Sequence, residues 1–151
     1  MKNMRNGKNF ALISGRQGQA VGSMQWNLSF ITNTISDQNI YYRGGGTVFP
    51  LYNYNEINGQ QTIIQEKERT PNLKTEIVKQ IEKSVDLSFV IEKESNENTF
   101  APIDILDYIY SVLHSPTYRE KYKEFLKIDF PRIPYPKDQN TFWQLVKLGG
   151  E

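Results

Sequence analysis

Two glycine-punctuated stretches near the front of the chain hold the side chains best suited to contact another molecule. Arg16, Gln17, Gln19, Gln25, Trp26 and Asn27 fall within twelve positions, interleaved with Gly15, Gly18 and Gly22. Tyr41, Tyr42 and Arg43 directly precede Gly44, Gly45 and Gly46. Arg can donate two hydrogen bonds to guanine O6 and N7, and Gln or Asn can pair with adenine N6 and N7. Aromatic rings can stack on bases, and glycine lets a loop approach a surface closely. The mix therefore suits the reading of nucleobase edges. Ordinary polar turns have a similar composition, and at this level both readings stand.

Other chemistries find less material. The chain has no Cys, which removes disulfides, thiolate zinc sites and a thiol nucleophile. Its single His, His114, follows an apolar helical run, where a capping or packing role is the expectation. Asp104 and Asp107 share a helical face at i, i+3, but they read as solvated groups or partners of the helix dipole. A small hydrolase built on Asp104, Asp107 and His114 lacks a complete set of nucleophile, base and orienting group. The run from Gly15 to Gly22 lacks the Lys-Ser/Thr ending of a phosphate-binding loop and the G-x-G-x-x-G dinucleotide spacing. No catalytic residue and no metal site is expected.

Charge is unevenly distributed. The formal net charge of +1 combines +3 in residues 1–60 with −2 in residues 61–151. Fifteen of the 23 Asn and Gln residues lie in residues 1–61. With only five basic residues in the first part, phosphate neutralisation would be modest, so this segment suits a reader tethered to a larger DNA clamp. Aromatic residues make up 13% of the chain, which argues against disorder. No stretch approaches the roughly 18 apolar residues of a membrane span. No secretory signal precedes the first strand, and a cytoplasmic location is expected.

The elements that must carry these residues differ between the two parts. Residues 1–60 read as β structure, with strands at Phe10–Ile13, Trp26–Thr32, Ile40–Tyr42 and Thr47–Phe49, continuing through Leu51–Tyr54. Alternation over Trp26–Thr32 puts Trp26, Leu28 and Phe30 on one face. Residues 55–69 read as a connector. Residues 61–151 read as a helical support. Thr70 and Pro71 suggest an N-cap and first turn for a helix with an apolar stripe at Leu73, Ile77, Ile81 and Val85, with Val78 alongside. Leu87–Ile91 reads as a short extended segment. Pro102 starts a helix with an apolar face of Ile105, Leu106, Ile109, Val112 and Leu113. Ser115 and Pro116 start another, with Tyr118, Tyr122, Phe125 and Leu126 inward and Arg119 on its wet side. The prolines of Asp129–Pro136 force an extended path, which would either dock on another domain or pack across the chain's own helices. A last helix covers Thr141–Leu148. The expected fold class is α+β: a small, mostly antiparallel sheet packed with three to four helices, the two parts forming one domain and a fragment of a larger protein.

Three stretches carry a resemblance. Residues 9–52, NFALISGRQGQAVGSMQWNLSFITNTISDQNIYYRGGGTVFPLY, resemble the start of the target-recognition region of type ISP and related single-chain, type IIG-like restriction–modification enzymes. Residues 100–136, FAPIDILDYIYSVLHSPTYREKYKEFLKIDFPRIPYP, are similar to the helical segment that follows it. FWQLVKLGGE, at 142–151, is similar to the next element, and residues 53–99 match more weakly. The resemblance implies a C-terminal specificity domain working beside an adenine-specific N6 methyltransferase, which uses S-adenosylmethionine, and a nuclease, in bacterial defence. It implies double-stranded DNA and the methyltransferase domain as partners. The methyltransferase's Asn-Pro-Pro-Tyr and cofactor motifs are absent here, so no catalytic residue and no cofactor carries over to this chain. The alternative is an interaction or scaffold module that docks the methyltransferase domain or a partner chain without reading bases.

Overall fold

A computed structural model describes residues 2–4, 8–16, 25–37, 39–41, 45–54 and 69–151. The fold is α+β. Strands β1 (Ala11–Ser14), β2 (Ser29–Thr32) and β3 (Thr47–Pro50) form an antiparallel sheet in the order β2-β1-β3. Ser14 lies opposite both Ser29 and Thr47, and Ala11 opposite Thr32 and Pro50. The central strand explains its own sequence: Ala11 and Ile13 are fully buried on one face, while Leu12 packs on the other. Pro50 has no N–H to continue the ladder, so β3 ends there. The chain turns directly into β4 (Tyr52–Tyr54), which pairs antiparallel with β5 (Arg69–Pro71).

That pairing corrects the expected start of the first helix. Thr70 and Pro71 lie opposite Asn53 and Tyr52 as strand residues, and helix α1 begins later, at Thr75–Val85. Lys74 occupies the N-cap position without a side-chain cap. The buried stripe is Val78, Ile81 and Val85, whereas Ile77 is 42% exposed. The helix ends on Asp86 in the left-handed region (φ 55°), a conformation that Asp tolerates better than most residues. Strands β6 (Ser88–Phe89) and β7 (Thr99–Phe100) form a short parallel pair.

Helix α2 (Pro102–His114) begins where its proline indicates. Asp104 is 3% exposed; its Oδ2 accepts the Ala101 N–H at 2.8 Å and its Oδ1 the Lys93 ammonium at 2.6 Å. A carboxylate at this position meets orphan donors and the positive end of the helix dipole. Ser115 caps α3 (Pro116–Lys121) through the Tyr118 N–H, and α4 (Lys123–Leu126) follows. Helix α5 (Gln139–Gly150) starts on an Asp138 cap and packs along α2 so closely that a Cβ on Gly149 would overlap the Asp107 carbonyl. Phe100, Phe142 and Tyr108 join these helices to β7 through ring contacts of 5.6 Å each.

The extended segment Asp129–Pro136 packs across the chain's own helices. The hydroxyls of Tyr118 and Tyr108 donate to the carbonyls of Arg132 and Pro134, both at 2.9 Å. Ile133 packs on the core and Pro136 is buried, while Ile128 and Tyr135 stay exposed. Between this strap, the sheet and α2 lies an apolar cleft of about 270 Å³ lined by Leu12, Phe49, Leu73, Ile109 and Phe130 among others.

Several amides of the front part are structural. Asn9 donates to the carbonyls of Tyr52 (2.8 Å) and Asn3 (3.0 Å) and accepts the Tyr52 N–H at 3.2 Å. Asn3 donates to Asn53, Asn53 to Asn72, and Asn72 to the Pro50 carbonyl. This chain of amides fastens the N-terminal segment to β4 and supplies partners for buried backbone groups.

Candidate nucleic-acid interface

The antiparallel register decides which loops can act together. Ser14 ends β1, while Ser29 begins β2 and Thr47 begins β3, and these residues are aligned across the sheet. The described residues Gly15, Arg16 and Gln25–Leu28 therefore meet Tyr41, Gly45 and Gly46 at one end of the sheet. Segments that meet at one end of a rigid sheet are a common place for a recognition surface.

The candidate residues separate by burial. Arg16, Gln25 and Asn27 are exposed. The Arg16 guanidinium lies 5.6 Å from the centre of the Phe130 ring, and Phe130 meets the exposed Phe49 edge-on at 6.1 Å. Trp26 and Tyr41 instead point inward, at 2% and 5% exposure. This revises their expected use, because a ring enclosed by the core offers no free face to a base. The Trp26 indole N–H donates to the Gly15 carbonyl at 3.0 Å, and the Tyr41 hydroxyl donates to the Ile13 carbonyl at 3.1 Å. Burial pushes the Tyr41 hydroxyl well above its ordinary pKa, so it remains a neutral donor. Gln17, Gln19, Tyr42 and Arg43 lie outside the described residues, as do Gly18, Gly22, Gly44 and the connector 55–68.

A local irregularity explains why the expected alternation fails. Leu28 and Ser29 are buried in succession, and the Ser29 N–H bonds back to the Asn27 carbonyl at 3.0 Å. Two successive inward residues shift the phase by one, so Phe30 turns outward, 42% exposed, and stacks on Tyr41 at 5.4 Å. Tyr41 forms an isolated bridge rather than part of a strand. Gly46 fits closely against Ile13 and the Tyr41 ring: a Cβ there would lie 2.8 Å from Ile13 Cγ2 and 3.2 Å from Tyr41 Cε2.

Behind the sheet end, the α2–α3 corner forms a polar support that sequence reasoning did not find. Arg119, expected on the wet side of its helix, folds back instead. Its Nε donates to the Leu113 carbonyl at 2.7 Å, and an Nη meets His114 Nδ1 at 3.1 Å. A guanidinium can only donate, so His114 Nδ1 accepts and the proton lies on Nε2, directed at the Ser29 carbonyl 3.3 Å away. Partial burial and then the Arg119 charge hold the His114 pKa below its ordinary value, with the Ser29 carbonyl opposing. His114 thus packs and bonds at a helix end, linking α2 to β2. The only sequence signal for this arrangement is the i, i+5 spacing of His114 and Arg119 across the Ser115-Pro116 corner.

The sequence profile of the type ISP C-terminal specificity domain matches residues 1–151, the whole chain. The chain belongs to that family. Matches are lacking among curated proteins and among solved structures. A type ISP specificity domain is the DNA target-recognition part of a restriction–modification enzyme and is attached to that enzyme's other domains. Among the described residues no helix of the specificity domain is long and apolar enough to cross a membrane.

Proposed function

We propose that this specificity domain reads bases of a double-stranded DNA site and so positions a separate adenine-N6 methyltransferase and nuclease on it. The family match over residues 1–151 carries the reading. The exposure of Arg16, Gln25 and Asn27 at one end of the sheet supports it. Arg16, Gln25 and Asn27 are the proposed contacts, joined by Gln17, Gln19, Tyr42 and Arg43 from the same two loops. A methyltransferase must extract its target adenine from the duplex. A separate module that fixes register on the phosphates and reads neighbouring bases supplies the specificity that base extraction lacks. S-adenosylmethionine belongs to the methyltransferase rather than to this chain. The enzyme would work in the bacterial cytoplasm, in defence against foreign DNA.

Selection of duplexes from a random-sequence pool by the intact enzyme, followed by sequencing, tests this role. Arg16→Ala should relax preference at one base position by about 1–3 kcal/mol, the worth of a bidentate contact. Uniform weakening with a salt slope lower by about one would assign Arg16 to a phosphate. Failure of the wild-type enzyme to enrich any sequence would end the reading. A docking role without base contact is the competing reading, and the open apolar cleft beside Phe49 and Phe130 favours it. Crosslinking to bound DNA separates the two: crosslinks within residues 10–50 support base reading, and their absence supports docking.

A further inference from the structure

We infer that Trp26 and Arg119 are positioning residues that set the direction in which Arg16 is presented to DNA. The inference rests on the proposed reading of bases by Arg16. Arg16 is exposed, with its guanidinium 5.6 Å from the Phe130 ring, so its aim depends on the direction of the backbone before it as well as on that ring. Gly15 is fixed on three sides. Its N–H donates to the Leu28 carbonyl at 3.2 Å, and its carbonyl accepts the Trp26 indole N–H at 3.0 Å. Its third side faces Tyr41, where a Cβ would come within 3.2 Å of Cε2. Both backbone groups of Gly15 are engaged, so the chain leaves the sheet in one direction.

Of these three restraints, the indole bond alone comes from a side chain with support outside the sheet. The Arg119 guanidinium lies 5.7 Å from the centre of the Trp26 ring. Arg119 is held in turn by the Leu113 carbonyl and by His114, whose ring packs on Tyr110 at 4.3 Å. A continuous set of contacts thus runs from the α2–α3 corner through the indole to the Gly15 carbonyl. A Phe ring could fill most of the space of Trp26 but has no donor to replace the indole N–H at the Gly15 carbonyl. Recognition groups must be held to within about 0.5 Å to keep paired hydrogen bonds aligned. A small rotation at Gly15 is magnified at the far end of the long Arg16 side chain.

The test uses the intact enzyme, a random-sequence duplex pool and thermal melting of each variant. Arg16→Ala first identifies the base position that depends on Arg16. Trp26→Phe keeps an aromatic ring and removes the donor, and should relax that same position about tenfold, leaving the other positions unchanged. Arg119→Gln should relax the same position, and Arg119→Lys, which keeps a cation over the indole, should restore most of the preference. Full preference at that position in both Trp26→Phe and Arg119→Gln overturns the inference. So does an equal loss at every position accompanying a lowered melting temperature, which marks a merely structural role. If Trp26→Phe fails to fold, the Arg119 pair decides by the same criteria. If Arg16→Ala changes nothing, the base-reading assignment falls first and the positioning role falls with it.

Discussion

Gly45 and Gly46 are neighbours in sequence, and the structure assigns opposite signs to the same substitution at each. Neither has a left-handed backbone, so only space decides. A Cβ on Gly45 meets nothing within 4 Å. Gly45→Ala should therefore stabilise the domain by about 0.4–1 kcal/mol, through the smaller entropy of the unfolded chain. A Cβ on Gly46 would lie 2.8 Å from Ile13 Cγ2, 3.1 Å from Ile40 Cγ2 and 3.2 Å from Tyr41 Cε2. Carbon atoms pack at about 3.5–4.0 Å, so β3 or its neighbours must move by roughly 0.7 Å or more. Ile13 cannot yield easily, because it is fully buried in the central strand. Overpacking of this kind costs about 1–3 kcal/mol. After the entropic gain, Gly46→Ala should lose about 1–2 kcal/mol, or roughly 2–8 °C in melting temperature for a chain of this size. Urea denaturation followed by tryptophan fluorescence measures both variants. A Gly46→Ala protein as stable as wild type, or a Gly45→Ala protein that is the less stable of the two, would refute the close approach of Gly46 to Ile13 and the Tyr41 ring.

Two more outcomes follow from α2. Asp107 has its carboxyl raised from 3.8 to about 6, by burial first and by Asp104 second, with Lys93 opposing. The folded chain therefore keeps a proton that the unfolded chain has released between about pH 4 and 6; below that window the carboxyl is neutral in both states, and above it the buried charge opposes folding. Asp107→Asn, which keeps the neutral form, should gain about 1 kcal/mol at pH 8 after solvent screening and nothing near pH 4. A gain independent of pH in denaturant melts would contradict that account. Asp104→Ala removes the acceptor of the Ala101 N–H and leaves Lys93 without its partner, and should cost about 2–3 kcal/mol. Asp104→Asn, which can still accept one bond, should cost about half as much by the same assay, and equal losses would mean that charge alone matters.

The helical half was legible where a local signal was sufficient. Pro102 and the Ser115-Pro116 pair mark the starts of α2 and α3 because a proline at the first helical position forgoes a hydrogen bond the helix does not make there. The same signal misled at Thr70-Pro71. The competing partner there is β4, whose ladder claims those residues before a helix can begin, and no local pattern reports a partner 17 or more residues away. In the apolar stripe of α1, Val78, Ile81 and Val85 are buried and only Ile77 at its edge turns outward, since periodicity fixes a face only to within one neighbouring position.

The candidate site shows the same division. Sequence alone determined which side-chain chemistries were available: amides and guanidinium groups beside glycines, one histidine and no thiol. The identity of each donor and acceptor is covalent and needs no fold. The tertiary structure decided which of these groups face water. The register of the sheet brought Gly15, Arg16 and Gln25–Leu28 to the same end as Tyr41 and Gly46, and core packing turned Trp26 and Tyr41 inward while leaving Arg16, Gln25 and Asn27 outside. It also committed Asn3, Asn9, Asn53 and Asn72 to neighbouring strands. Burial is a property of all the surrounding chain at once, so the residue types of a loop cannot announce which of them will support it and which will reach out.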